Sequence, residues 1–518
     1  MVSGSLGGGC VKLWFLPVVA LAVMGASAGS AEGQAVDKAG KQTAQADAES
    51  LVSTFFDTLY DRRFDQALAV AEQLHPDPGN KLGMATVDGM RATALIGLKR
   101  DAEAKRLIAE AARLAPDNSF SVTTVFEGSL LAKRFDFAAD ALDSLIARFP
   151  DVTREQRMDL VSYFLRNEPA NQEQRNDDRR VALARIGFGG SANGDWLAAD
   201  AIEILLKRGD LGGAGDLLTY VDDPQTIEDM LVQKRYYALW PKLEEGAGAH
   251  LSKVQASSVA SAEQEYLGAP DDHEKLKLYA NALRHGGRLN DAIALRSKLP
   301  ATREAMASAD EDLGWLLNEV ALALHDGGRE NEADQLFATL NEAPMEEARW
   351  RVSMIINRLE LLVTDGKFDK AVPLLAPAEL SAKNDGSDYA RQLVRRLKYC
   401  TLNSLGRKDE AAKLLPDVLA HASDAPQATV EGLLCTGELD QAERLTLKTL
   451  DDPKSTPAQR NSFERDFVRA MQPVPLTSDD PSVWANRFAM LRQRPAIAAA
   501  YARLGRDMPT KYLVAKPN

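Results

Sequence analysis

The sequence is poor in the residues that build metal and redox sites, with 3 cysteines and 6 histidines. The histidines (positions 75, 250, 273, 285, 325 and 421) show no metal-ligand spacing. No G-x-S-x-G, Walker phosphate loop or H-E-x-x-H occurs, so no catalytic signature points to an enzyme and no cofactor is expected. Aromatic residues make up 6% of the chain. Strand-like β-branched alternation is rare, whereas Ala and Leu, which lose little on entering a helix, are abundant. No long Lys/Arg cluster is present and the net charge is −13. An acidic chain repels phosphate backbones, which argues against nucleic acid as a partner. The composition predicts an all-α protein with a solubilising acidic surface.

Long apolar runs are also missing, apart from Leu13–Met24 near the start. Lys12 precedes that run, and Ala26-Ser27-Ala28 fits a small-x-small cleavage site, with a second option after Ala31. Residues 1–31 therefore read as a secretory signal. A retained anchor is the alternative, although the run is short against the roughly 20 residues of a spanning helix. Cys10 precedes the run, which does not suit lipidation. No later segment is expected to span a membrane. Residues 32–48 are small and polar and are expected to form a loose leader. Cys400 and Cys435 then remain. They lie on adjacent helices with faces that differ, so two buried thiols are expected in place of a bridge.

What the chain does have is a repeated six-residue signature: a Gly or basic residue, four residues, then Ala. It occurs as RRFDQA (62–67), KRDAEA (99–104), KRFDFA (133–138), GDLGGA (209–214) and GRLNDA (287–292). It continues as GRENEA (328–333), GKFDKA (366–371), GRKDEA (406–411) and GELDQA (437–442). The anchor alanines are Ala67, Ala104, Ala138, Ala214, Ala292, Ala333, Ala371, Ala411 and Ala442. The steps Ala138 to Ala214 and Ala214 to Ala292 are about twice the others, as if each hides a degenerate repeat. The leading Gly suits the left-handed residue that ends a helix. The acidic residue after it is expected to cap and charge the next helix. The alanine lets two helices approach closely. Nine residues before the anchors lie Leu95, Leu205, Leu283, Leu324, Leu362, Leu402 and Leu433, with Thr58 and Ser129 as exceptions. Twelve before lie Phe55, Ala92, Phe126, Ile202, Ala280, Ala321, Leu359, Tyr399 and Val430. A spacing of three puts the two positions on one helix face.

In these residues the chain resembles the tetratricopeptide repeat family. The clearest copies are KRDAEAKRLIAEAARLAPDN (99–118) and KRFDFAADALDSLIARFPD (133–151), closed by Pro116 and Pro150. Elsewhere the closing proline drifts, as at Pro300, Pro344 and Pro453. The resemblance covers roughly 50–455 with interruptions. It implies an α-solenoid of antiparallel helix pairs, a superhelix with a C-terminal helical cap, and says almost nothing about ligand. The expected organisation is repeats over 49–151, diverged helical repeats over 152–286, repeats over 287–456 and a cap and tail over 457–518. Within 152–286 the sequence predicts a helix at 154–166, a charged stretch at 173–180 and a Gly-rich bend at 187–194. It also predicts helices around Tyr236, Tyr237 and Trp240 and a small-residue helix at 248–267. VALARIGFGGSANGDW (181–196) superficially suits phosphate binding, but its spacing is wrong for a dinucleotide fingerprint and it reads as a turn.

In such an architecture the first helix of each pair lines a concave face. The residues expected there in the C-terminal half are Lys277, Asn281, Arg284, Asn318, Glu319, His325, Asn357, Glu360, Arg396 and Asn403. These amides and charges are able to bond an extended peptide. Thr93, Ile96, Thr124, Glu127, Leu130 and Glu203 take the same positions in the N-terminal half. Lys277 and Asn281 match the start of the family's carboxylate clamp; Glu319, Ser353 and Asn357 then depart from it, which argues against a clamp. The functional expectation is a periplasmic scaffold, not an enzyme, that holds a peptide or protein partner in envelope assembly or export. Two alternatives stay open. One is a carbohydrate-binding protein or envelope enzyme using 152–197 or 225–286; the other is a structural subunit that self-associates. Oligomeric state is left open.

Overall fold

The computed structural model of the chain describes residues 37–300, 305–306, 309–341, 350–473 and 483–512. The expected signal 1–31, residues 32–36 of the expected leader and Pro344 lie outside the described residues. Among the described residues the chain is all-helical, with no β-strand and one isolated bridge between Gln233 and Gly505. It divides into two compact units whose boundary falls between Leu205 and Leu206.

The repeated signature is a device for reversing a helix. Its first residue is left-handed in every copy. Arg62, Lys99 and Lys133 have φ of 57°, 60° and 56°, and Gly209, Gly287, Gly328, Gly366, Gly406 and Gly437 lie between 70° and 87°. The next residue sends its N–H back over the turn. Arg100 donates to the Leu95 carbonyl at 2.9 Å, and Arg288, Arg329, Lys367 and Arg407 donate likewise to Leu283, Leu324, Leu362 and Leu402. This is the Schellman closure, which satisfies a carbonyl left over at the helix end. The nine anchor alanines are at most 2% exposed. The positions nine and twelve residues before them are buried in every copy, Thr58 and Ser129 included.

The capping expectation needs correction. The helix-starting residue is the basic one, as with Arg100, Arg288 and Arg407, and its side chain makes no cap bond. In four copies an acidic residue sits three positions further on and pairs with it. Arg100–Glu103 is 2.6 Å, and Arg288–Asp291, Arg329–Glu332 and Arg407–Glu410 are each 2.7 Å. Asp210 does cap, accepting from Gly213 N–H.

The N-terminal unit opens with α1 (Asp37–Tyr60), so helix already covers the second part of the expected leader. Then follow α2 (Phe64–Glu72), α3 (Lys81–Gly97), α4 (Asp101–Leu114), α5 (Ser119–Leu131) and α6 (Phe135–Arg148). The short α7 (Pro150–Arg154) starts on its proline; the helix expected at 154–166 follows as α8 (Met158–Arg166), which starts four residues late because Arg157 is extended. The charged stretch lies in α9 (Glu173–Arg185) and is less solvated than its composition suggests. Arg179 is 2% exposed. It pairs with Asp143 and Glu168 and lies over the Phe164 ring. Gly187 and Gly189, both left-handed, then turn the chain into α10 (Gly190–Lys207), inside which the unit boundary falls. The Gly-rich segment is thus a helix–turn–helix link.

The C-terminal unit continues with α11 (Leu211–Leu217), α12 (Pro224–Val232), α13 (Trp240–Ala247) and α14 (Ser252–Gly268). Then come the pairs α15 (His273–His285) with α16 (Leu289–Ala294), α17 (Glu311–Asp326) with α18 (Glu330–Asn341) and α19 (Arg351–Thr364) with α20 (Phe368–Asn384). The last pairs are α21 (Asp388–Ser404) with α22 (Lys408–Ala420) and α23 (Pro426–Thr436) with α24 (Leu439–Leu450). The cap is α25 (Pro457–Ala470), α26 (Val483–Arg492) and α27 (Pro495–Leu504). Phe463, Phe467, Leu491, Ile497 and Tyr501 of the cap cover Leu433, Leu434 and Leu450 of the last pair.

The cap also does something the sequence does not announce: it packs onto the start of the same unit. Val232 belongs to the cap's apolar cluster. Arg469 pairs with Asp229, and Arg235 with Glu464 at 2.7 Å. Arg506 donates to the Leu231 carbonyl at 2.7 Å and to Glu244 at 3.0 Å, and stacks 3.5 Å from the Trp240 ring centre. Neighbouring helices of this unit therefore form a closed circuit from α12 through the pairs and back.

Candidate functional site

The ten residues expected on this face fall on the first helices α15, α17, α19 and α21, as their offsets from the anchors require. Nine of them are joined, directly or through acidic neighbours, by bonds that run from one first helix to the next. Between α15 and α17, Lys277 Nζ meets Asp312 Oδ1 at 2.6 Å. Asn281 Nδ2 and Arg284 Nε donate to Glu319 Oε2 at 3.2 and 2.8 Å, and Arg284 Nη1 reaches Asp326 at 3.3 Å. Between α17 and α19, Asn357 Nδ2 donates to Asn318 Oδ1 at 2.8 Å. His325 Nε2 lies 2.9 Å from Asp365 Oδ1, at the turn after α19. Arg396 on α21 then bridges two helices, donating to Glu360 on α19 and to Glu431 on α23 at 2.9 Å. Asn403 is half-buried, and its backbone carbonyl accepts Gly406 N–H in the turn at 3.1 Å. Among the described residues its side chain makes no bond to this ladder.

The polar row is thus internally bonded. Asn318 and Arg396 are 2% and 3% exposed, so the ladder is partly sunk between helices and is no freely solvated stripe. Low dielectric strengthens such bonds and penalises loss of either partner. Asp326, the side-chain partner at its other nitrogen, and Asp365 together push the His325 pKa up to about 9, so the imidazole is charged at neutral pH. Burial pushes Glu431 upward, with Arg396 opposing. Counted over the ladder and the Lys367 that bonds Asp365 and Glu330, Lys277, Arg284, His325, Lys367 and Arg396 stand against Asp312, Glu319, Asp326, Glu330, Glu360, Asp365 and Glu431. Carboxylates are in excess, and Asp312, Asp326 and Glu360 retain 37%, 42% and 36% side-chain exposure.

Asp312, Asp326, Asp365 and Glu431 were not singled out from sequence. One signal could have found several of them. Lys277–Asp312, Arg284–Glu319 and Arg396–Glu431 are each 35 residues apart, with opposite charges. The two remaining cysteines obey the same interval. Cys400 and Cys435 are buried and free, as expected, but share one apolar cluster. The inference that their faces diverge is therefore overturned. Burial, with the neighbouring thiol, holds the Cys400 thiol well above its ordinary value.

In the N-terminal unit the corresponding positions form no such ladder among the described residues. Thr93 and Ser129 return their hydroxyls to their own helices, bonding Gly89 and Val125 carbonyls. Glu127 accepts from Tyr60 Oη at 3.3 Å, and burial pushes its pKa up to about 6. The regions considered for an enzyme site, 152–197 and 225–286, carry carboxylates held by arginines: Glu168 by Arg179 and Arg180, Asp229 by Arg469. Among the described residues no cluster of His, Cys, Asp and Glu could hold a metal ion, and no helix is long and apolar enough to cross a membrane. No family model matches the chain, and no curated protein matches it.

Proposed function

We propose that this chain is an exported scaffold of tetratricopeptide type whose first-helix face in the C-terminal unit binds a protein segment carrying basic side chains. The observation that carries this reading is the ladder itself. It fixes a row of carboxylates and amides across successive first helices in one geometry before any partner arrives, which lowers the ordering cost of binding. Its carboxylate excess favours Lys and Arg on the partner and steers their approach. Export is supported by the apolar run Leu13–Met24 followed by small residues. A periplasmic role in envelope assembly or export follows from that compartment and from the repeat type.

The test uses a photo-crosslinking amino acid at Asp326 or Glu360, with exposed Lys413 on α22 as the control position. The expected outcome is capture of one protein from the first two positions and not from the third. With the captured partner in hand, the double variant Asp312→Asn/Asp326→Asn should weaken binding about tenfold, more at low salt than at high salt. Equal capture at all three positions, or an unchanged affinity, overturns the reading.

A further inference from the structure

The N-terminal unit holds a cleft of about 440 Å³ between α4 and α6, with α5 as its floor. Ile108 and Ala112 of α4, Val122 and Val125 of α5 and Phe137 of α6 give it an apolar lining. The space exists because the facing positions carry small side chains: Ala109 and Ala112 are exposed where a larger residue would fill the gap. Its size lies within the range of small-molecule pockets. The polar groups at its base are already satisfied. Asn118 donates to Ser121 Oγ at 2.8 Å and to Thr86 Oγ1 at 3.1 Å, and Ser121 Oγ donates to the Ala85 carbonyl at 2.8 Å. The body of an occupant is therefore apolar.

The charges at the mouth define its end. Asp140 is neutralised by Arg175 at 2.6 Å. Lys105, at the start of α4, lies 5.5 Å over the Phe137 ring. Arg148, at the end of α6, donates to the Pro116 carbonyl just beyond the end of α4. Among the described residues neither cation is held in a close ion pair, although Asp101, one helical turn away on α4, feels the Lys105 charge. The two cations mark opposite ends of the slot: from Lys105 to Ala115 the chain advances ten residues, about 15 Å at the rise of a helix, which matches an extended alkyl chain of about a dozen carbons.

We propose that this cleft binds a free long-chain fatty acid, with the alkyl chain along the apolar lining and the carboxylate on Lys105. The site is separate from the first-helix face and does not depend on it.

Calorimetric titration of the mature chain with dodecanoate below its micelle concentration tests this. One molecule per chain is expected. Octanoate should bind at least tenfold more weakly, since each buried methylene contributes about fourfold. Dodecanol, which lacks the charge, should also bind more weakly. Ala112→Phe, placed at an exposed position, should lower dodecanoate affinity at least tenfold with an unchanged melting temperature. Lys105→Gln should bring dodecanoate down to the level of dodecanol. Absence of dodecanoate binding, equal binding of octanoate, or unchanged affinity in either variant overturns the proposal.

Discussion

Asp229 and Arg469 stand 240 residues apart and form a two-pronged ion pair, the guanidinium Nε lying 3.1 Å from Oδ1. Through this pair and its neighbours the cap of the C-terminal unit meets the helix near that unit's beginning. The cap therefore has two faces to serve: the exposed end of the last helix pair and the flank of α12. Asp229 is largely buried, and its carboxyl is pushed upward by burial while Arg469 opposes that shift.

Arg506 is the most connected residue of the closure, and its loss should be felt well beyond its own turn. Arg506→Ala removes the bonds to Leu231 and Glu244 and the stacking on Trp240, and should cost about 2–3 kcal/mol. Urea unfolding would measure it, and limited proteolysis should cut the variant within 457–512 before the wild type is cut there. An unchanged midpoint would mean that the closure adds little to stability.

The left-handed turn residues make a matched pair of tests with opposite signs. Gly406 has φ of 76°, and a Cβ there would meet nothing within 4 Å. Gly406→Ala therefore isolates backbone strain, and should destabilise by about 1 kcal/mol. Lys99 already carries that strain at φ 60°. Lys99→Gly should stabilise by a few tenths to about 1 kcal/mol, the gain reduced by the extra freedom of Gly in the unfolded chain. Thermal melts of both variants decide it, and two shifts of the same sign would refute the account.

His325 predicts a pH dependence with a definite direction. Its folded pKa is raised from 6.5 to about 9 by Asp326 and Asp365. Protonation favours the folded state, so this stabilisation is complete below about pH 6.5 and disappears as pH rises through about 9. His325→Ala should accordingly lower the melting temperature more at pH 6.5 than at pH 9.5. The same deficit at both pH values would show that the imidazole acts by packing alone.

What could be read in the sequence was whatever repeats locally. The turn residue, the anchor alanine and the buried residue nine places before it act within one helix reversal, so nine copies of the pattern state the rule nine times. The first-helix positions were also legible, because an offset from Ala292 or Ala371 fixes a helix face. How those residues pair was not. Glu319, judged against a peptide clamp, counted as a mismatch, while its actual role is to accept from Asn281 and Arg284 on the preceding first helix. The closing contacts were illegible for a different reason. Asp229 and Glu244 lie in segments without the repeat, and nothing in Arg469 or Arg506 distinguishes them from surface arginines. The cleft near Phe137 was hidden because small residues at Ala109 and Ala112 read as ordinary helix formers.

A row of helix pairs with free ends can lengthen or shorten by one pair and leave the rest undisturbed, because each pair answers only to its neighbours. The C-terminal unit has given up that liberty. Since α12 must find the cap, the number of intervening pairs and the turn each adds are fixed together, and one duplicated or deleted pair would leave Asp229 and Arg469 facing empty space. Variation among descendants of this chain should therefore accumulate in loop lengths and surface charge, while the tally of helices between residues 224 and 504 stays constant.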